Sequence, residues 1–342
     1  MHECRPLFSI CMPAYNSLPL IRNSFASLAS QSLTDWELIL VDDCSDDALD
    51  AWVSEQATIE SERIHYFKLS DNHGPLYARR FAFHAARGKY VLCLDSDDEF
   101  LGHDALLSLS NKIKFYGSEP DVVMFNAKTG QNDPKSWVDY AAEGLSAGII
   151  AKNKVVDIFL STHKLNNLCL KAIKTSLLAS TSLEDARSLK MCEDRFEVAG
   201  VIKRAESFVL IDEPIYYYRQ NETSTTHRLF DISYCEQQSY VEATITHMFE
   251  GRRETCGQRR QFLLLWADDM ARIAKGRDVA DIVSCYVLMK EDDYFQESYA
   301  YVGTCGLRPD RAALLALLIG GHLRSAAFLA RLLDRFRHLV SR

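Results

Sequence analysis

Short continuous apolar runs punctuate the first hundred positions. Leu7 to Met12, Glu37 to Val41, Ile64 to Leu69 and Tyr90 to Leu94 are rich in aromatic and β-branched residues. Runs of this kind predict strands buried on both faces, as in parallel sheets. Between them the apolar spacing turns helical. Leu18, Ile21, Phe25 and Leu28 share one face of a helix reaching about Gln31, with Ser17 as its N-cap and Pro19 in its first turn. Ala78, Phe81, Ala82 and Ala85 mark a second helix, from about Tyr77 to Ala86, closed by Gly88. Alternation of strand and helix predicts an α/β architecture of βαβ units around a mostly parallel, Rossmann-like sheet.

Beyond Phe100 the pattern loosens. A helix over 104–115 leads to a strand over 121–125, and 126–148 has no clear period, which predicts a loop or irregular hairpin. Residues 152–163 are expected to be helical, and Ser207 to Ile211 to form a last strand. These features divide the chain into a catalytic-type domain over 1–228 and a helical region over 229–342. In the terminal helix Leu329, Leu332, Leu333, Phe336, Leu339 and Val340 lie on one face, with Arg331, Arg335, His338 and Arg342 opposite. A basic amphipathic helix of this kind can lie in a membrane interface, the stretch 312–342 then being a peripheral contact, or it can pack on its own domain or on a second protomer of an oligomer.

Two of the strands end in acids. The second is followed by Asp42, Asp43, Asp46 and Asp47, and the fourth by Asp95, Asp97, Asp98 and Glu99. Ligands of parallel α/β sheets bind outside the carboxyl ends of the strands. Crowded carboxylates repel unless a cation neutralises them, and oxygen ligands suit a hard divalent ion, Mg²⁺ or Mn²⁺. A solvated acidic turn is the plainer explanation of one such cluster; two on the same edge point to a site.

Composition narrows the function classes. The chain has 342 residues, 47% hydrophobic and 25% charged, the balance of an ordinary soluble globular protein. A net charge of −8 argues against nucleic acid as a partner. Ten cysteines form no C-x-x-C pair, so a zinc ribbon or redox motif is not supported, and a reducing, cytoplasmic setting is expected. Met1 to Pro13 lacks the features of a signal peptide, and the apolar segment Ala312 to Leu323 is too short to span a bilayer.

The stretches Ser9 to Asn16, Gln31 to Ser45, Gly74 to Tyr90 with Ala78-Arg79, and Leu94 to Asp98 agree in order and spacing with a known family. Over about 7–100 the chain resembles the inverting, nucleotide-sugar-dependent glycosyltransferases of family two, which have the GT-A fold. The resemblance implies that Pro13, Ala14, Tyr15 and Asp42 hold the base and ribose of a nucleotide, with Asp43 beside them. Asp95 would face ribose and metal with Ser96 in the same turn, Asp97 would ligate the metal, and Arg79 would sit near the diphosphate. It also singles out Glu193-Asp194. On its own this pair is an ordinary helix-start feature; by resemblance it supplies the catalytic base, Asp194 first and Glu193 second. Asn166 to Lys171 corresponds to an acceptor-side segment, and Tyr216 to Ser224 to one near the diphosphate, with His227 beyond it as either a metal-reaching or a surface histidine. Where Cys44, Arg80 and Ala82 stand the family often has glycine, asparagine and glycine.

The implied reaction moves a sugar from a nucleotide-diphosphate donor to a hydroxyl of a glycan or lipid-linked acceptor, in assembly of a surface polysaccharide at the inner face of the cytoplasmic membrane. Three other classes are weighed. A polyprenyl-phosphate acceptor is already anionic and would not need the acid pair. A non-catalytic nucleotide-sugar-binding scaffold would not need the full set of acids. A nucleotidyltransferase would be expected to carry a glycine-rich basic loop after the first strand, and Pro13 to Pro19 has no glycine, lysine or arginine.

Overall fold

A computed structural model describes residues 5–57, 62–117, 119–130, 135–140, 144–179, 181–184, 189, 191–220 and 231–340, the side chains of 135–137 and 334–340 excepted. The elements in chain order begin β1 (Phe8–Ala14), α1 (Leu18–Ala29), β2 (Trp36–Asp42), α2 (Leu49–Ala57), β3 (Ile64–Lys68), α3 (Pro75–Ala85), β4 (Tyr90–Cys93) and β5 (Glu99–Phe100). They continue with α4 (Ala105–Phe115), β6 (Val122–Thr129), β7 (Lys135–Val138), β8 (Gly148–Ile150), α5 (Lys152–Ser161), β9 (Lys171–Lys174), α6 (Glu193–Arg204) and β10 (Phe208–Tyr218). Helices complete the chain: α7 (Ile232–Met248), α8 (Thr255–Ala274), α9 (Val279–Glu291), α10 (Asp293–Val302), α11 (Pro309–Ile319) and α12 (Leu323–Val340).

The residues fall into two compact units, one of 1–159 with 164–222, the other of 160–163 with 223–342. In the first, the sheet runs β3-β2-β1-β4-β9-β6-β10-β5, with β7 on β6 and β8 on β10. The β3-β2-β1-β4 half is parallel throughout. Beyond it the sheet is mixed, because β9 runs antiparallel to both β4 and β6. The parallel strands are nearly continuous in buried apolar residues, as covering on both faces requires. A buried carboxylate fastens their amino ends: Glu37 Oε1 accepts from Ser9 Oγ (2.6 Å), Arg87 N (2.7 Å) and Gly88 N (3.0 Å). Gly88 is obligatory there, since a Cβ would lie 2.6 Å from Ser9 N.

Two local expectations change. Ser17 makes no side-chain cap for α1, and its Oγ is buried without a partner. The orphan Leu18 N–H donates instead to Asp47 Oδ2 (2.8 Å), so the first helix is capped from the loop after β2. The last strand extends well past Ile211 to Tyr218, through a bulge at Pro214 where its register against β6 shifts twice.

The second unit buries Phe262, Trp266, Met270, Tyr286 and Phe295 between its helices. Ala326, Ala327 and Ala330 of α12 are fully buried against this core, with Leu329 and Leu333 partly so. Phe328 and Leu332 stand exposed, and Arg331 donates to Arg277 O. The remaining positions of the predicted amphipathic face, from Phe336 onward, lie outside the described side chains. Among the described residues no helix is long and apolar enough to cross a membrane.

Candidate active site

The carboxyl ends of β2, β1 and β4 lie side by side, which brings both acid-tipped strands to one edge. At the β2 end the acids are spent on loop structure. Asp42 is fully buried; its Oδ1 accepts from Ser45 N (2.7 Å) and its Oδ2 from the Tyr66 hydroxyl (2.7 Å). Lys68 Nζ lies 3.7 Å away. Asp43 accepts from His73 N (2.8 Å) and Gly74 N (2.7 Å), which fixes the entry to α3. Burial nevertheless raises the Asp43 pKa from its ordinary value, ahead of the lowering by those two N–H groups.

The loop after β1 is tied to the same structure, since Asn16 N donates to Ser45 Oγ (2.9 Å) and Asn16 Oδ1 accepts from Asp46 N (2.9 Å). Pro13 and Ala14 end β1, and the Tyr15 ring projects from the edge, 51% exposed. Cys44 adopts φ +67, the left-handed region in which glycine costs least, so a cysteine here keeps a glycine-like backbone.

At the β4 end the acids are gathered by one cation. Arg79 comes from α3 and is buried. Its Nη2 donates to Asp95 Oδ1 (2.8 Å), and its Nη1 to Asp194 Oδ1 (3.0 Å) and Glu193 Oε1 (3.3 Å). The acid pair is delivered by the first turn of α6, entered through Cys192 at φ +60. Carboxylates there also gain from the positive end of the helix. Removal from water raises the pKa of Glu193, further raised by Asp194, and raises that of Asp194, where Arg79 opposes the shift and Asp95 adds to it. Burial alone would depress Arg79, but its three carboxylates outweigh that and hold it well above its ordinary range. An acid with a raised pKa held in fixed geometry is what a general base near neutral pH needs.

The turn between β4 and β5 is shaped from β10. The Tyr216 hydroxyl donates to Asp98 Oδ2 (2.8 Å) and accepts from Asp95 N–H (3.2 Å). Arg219 N donates to Asp98 Oδ1 (2.9 Å), Arg219 Nε to Asp97 O (3.2 Å), and its guanidinium also pairs with Glu99. The Ser96 carbonyl accepts from Ser24 Oγ of α1 (3.0 Å). Asp98 is buried, and burial, then the charges of Asp95 and Asp97, push its pKa up to about 8. Asp98 is therefore a structural acid of the turn, whereas the Asp95, Ser96 and Asp97 side chains remain partly open.

Behind the acid pair lie residues of the segment Asn166 to Lys171, which the resemblance marks as acceptor-side; their contacts with one another and with Asp194 had no signal in the sequence. Asp194 Oδ2 accepts from Leu168 N (3.2 Å). Lys171 is buried and donates to Leu165 O (2.8 Å) and Asn167 O (2.6 Å). Arg195 donates to Asn166 Oδ1 (3.0 Å). Arg80, where relatives often have asparagine, is buried with Glu197 (2.7 Å) and lies over the Phe196 ring. Only the Arg80-Glu197 charge balance was open to sequence inspection, as a pair of opposite charges in two amphipathic helices. Arg79, expected near a diphosphate, has both Nη atoms on protein carboxylates, while its Nε is buried with no hydrogen-bond partner among the described residues. His227 lies outside the described residues.

Among the described residues no group of three or more His, Cys, Asp or Glu side chains is arranged to hold a metal ion. Asp95 and Asp97 together offer oxygen ligands only, beside a neighbour whose own ionisation they already oppose. That donor set fits a hard divalent ion taking one or two protein carboxylates and the rest of its shell from phosphates and water.

Residues 9–159 match the family model described as glycosyl transferase family 2. A candidate teichuronic acid biosynthesis glycosyltransferase of Bacillus subtilis, TuaG, is 40% identical over 100 residues, 29% of this chain and 39% of that protein. The poly(ribitol-phosphate) β-glucosyltransferase of Bacillus spizizenii is 29% identical over 214 residues, 61% of this chain and 32% of that protein. The match thus spans between a third and two fifths of these relatives' own lengths. The crystal structure of residues 1–349 of Staphylococcus aureus TarS, in complex with UDP-GlcNAc, superposes with TM-score 0.67 at 18% identity, covering 97% of this chain and 91% of that one. The sheet order and the acid-tipped strands agree with these likenesses: residues 9–159 are similar to glycosyl transferase family 2, on a GT-A fold like that of TarS.

Proposed function

We propose that the chain transfers a sugar from a nucleoside-diphosphate donor to a hydroxyl group of a glycan or lipid-linked acceptor, with inversion at the anomeric carbon. One observation carries the reading. Arg79 joins the acid at the tip of β4 to an acid pair that lies 114 and 115 positions beyond Arg79 in the chain, in direct hydrogen-bond contact. Separate structural acids would have no reason to share one buried cation.

In this reading Asp194 takes the proton from the acceptor hydroxyl. Glu193 holds the rest of the Arg79 charge and is the second choice of base. A single base with no covalent nucleophile gives inversion, by the geometric logic that separates inverting from retaining glycosidases. Pro13, Ala14 and the exposed Tyr15 ring offer a platform for a nucleobase; Asp42 and Asp43 shape that platform from beneath. Asp95 and Asp97 would hold Mg²⁺ or Mn²⁺, which when bound supplies Lewis-acid charge against that developing on the departing diphosphate. The relatives named for poly(ribitol-phosphate) glycosylation and the UDP-GlcNAc complex of TarS make a UDP-sugar the first donor to try, and a surface polysaccharide the first acceptor class. A setting at the inner membrane face belongs to the same proposal, with exposed Phe328 and Leu332 as the surface to probe.

The test is release of nucleoside diphosphate from a panel of nucleotide sugars with Mn²⁺, on the wild type and on Asp194→Asn. Loss of the base is expected to lower transfer by about 10³-fold, with UDP affinity by calorimetry within about twofold of the wild type. Near-normal turnover of Asp194→Asn would sink the assignment of the base.

A further inference from the structure

We propose that Lys171 is a positioning residue for Asp194, acting through the single peptide plane that joins Asn167 to Leu168. The role rests on Asp194 being the base of the proposed reaction; the geometry stands without it.

Lys171 opens β9 in the middle of the sheet, between β4 and β6, and its side chain is 2% exposed. Among the described residues no carboxylate pairs with its ammonium. The Nζ donates instead to two backbone carbonyls, Leu165 O at 2.8 Å and Asn167 O at 2.6 Å. Taking an ammonium out of water with no carboxylate in contact is expensive, even with the Asp194 charge acting on it from further off, and a methionine would fill the same space. The charge is therefore kept for what it holds.

What it holds is a lever. A peptide unit is planar and trans, so the C=O of Asn167 and the N–H of Leu168 belong to one rigid plane and point in opposite directions. With the Asn167 oxygen drawn onto Lys171, the Leu168 N–H is turned the other way, and there it donates to Asp194 Oδ2 at 3.2 Å. Positive charge, peptide dipole and carboxylate thus stand in line, each link strengthening the next. Arg195 adds a second tie to the same segment, donating to Asn166 Oδ1 (3.0 Å) and Phe159 O (3.3 Å). Asp194 is consequently gripped from two sides, Oδ1 by Arg79 and Oδ2 by Leu168 N–H. An error of an ångström in the placing of such a group costs much of its rate contribution.

The arrangement can be cut at either end. Lys171→Met takes the ammonium off the Asn167 carbonyl and leaves it the Leu170 N–H at 3.4 Å. Leu168→Pro removes the N–H together with part of a buried side chain: Leu168 is the first residue of a 3₁₀ turn, and Asn167 at φ −64, ψ 106 has the extended backbone that a following proline favours. Each variant is expected to lower turnover of the nucleotide sugar at least tenfold, with donor KM and UDP affinity unchanged. The double variant should be no slower than the worse single one, because both break the same chain of contacts. Turnover within twofold of the wild type in either single variant overturns the proposal, and so do losses that multiply in the double variant. If Lys171→Met does not fold, Leu168→Pro alone decides on the same twofold criterion. A wild type that turns over no nucleotide sugar at all sinks the transfer reading separately. The lever is then judged by hydrogen exchange on the full chain: Leu168 N–H exchanging at least tenfold faster in Lys171→Met supports it, and unchanged exchange overturns it.

Discussion

The tips of β2 and β4 look alike as strings of acids, yet the fold treats them in opposite ways. At β2 the Asp42 and Asp43 carboxylates are answered by ordinary donors: backbone N–H groups, a phenol and a lysine. These acids build the loop and have little left for a ligand. At β4 the acids divide: Asp98 is held by the Tyr216 hydroxyl and the Arg219 N–H, while Asp95 stays partly open and shares the Arg79 guanidinium with Glu193 and Asp194 of α6. The first arrangement stores stability and the second stores reactivity. An acid's function is set by how its oxygens are satisfied, which a run of aspartates does not disclose.

Cutting the shared cation should break the comparison most sharply. Arg79→Met leaves three acids facing one another and is expected to cost about 3–5 kcal/mol of stability at pH 8, measured by urea unfolding. The cost should shrink toward pH 5, since Glu193 and Asp194 already have raised pKa values and take up protons readily. Asp43→Ala attacks the other tip. It strands two backbone N–H groups at the entry to α3, for a loss of about 2–3 kcal/mol by the same unfolding measurement at pH 8.

The second unit offers an acid with neither solution. Asp269 in α8 is almost fully buried; Arg272 reaches Oδ1 at 3.4 Å, and Oδ2 has no partner. Burial pushes its pKa up to about 8. Between roughly pH 4, where the unfolded chain loses this proton, and pH 8, the folded state binds the extra proton. Stability of this unit should therefore fall as pH rises through that window. Asp269→Asn should flatten the slope and exceed the wild type at pH 9 by on the order of 1–3 kcal/mol, as read by calorimetry. The smallest effect is expected at Cys44. Cys44→Gly relieves a left-handed backbone and should gain about 1 kcal/mol, seen as a rise in Tm, without touching either set of acids.

The parallel half of the sheet was legible because its strands are continuous apolar runs that end abruptly in acids. Of the three helices between them, α1 and α3 followed from residues on one face, and α2 gave no such signal. The two halves of the active-site candidate were each visible as motifs, Asp95 to Asp98 by pattern and Glu193-Asp194 by family likeness. Their union was not, because it depends on Arg79, which helical spacing leaves as one more polar residue of α3. Lys171 was hidden for a similar reason: nothing in a sequence tells a buried lysine bound to carbonyls from a solvated one. Ser17 misled in the other direction, with the right residue for a cap while the cap itself came from Asp47, a loop away. Local signals fixed the elements, and long-range pairs of charge fixed the site.

The bulge in β10 has a consequence of its own. Its two register shifts, around Pro214, separate the stretch Phe208–Ile211, which fills the core, from Tyr216, which reaches the acid turn. One strand thereby serves two masters, and the slack between them lies at residues 212–215. Because Tyr216, Tyr217 and Tyr218 follow one another, a chain shortened by one residue in that slack would still present a phenol opposite Asp98, so the hydroxyl that steadies the turn is buffered against a length change that would ruin most strands.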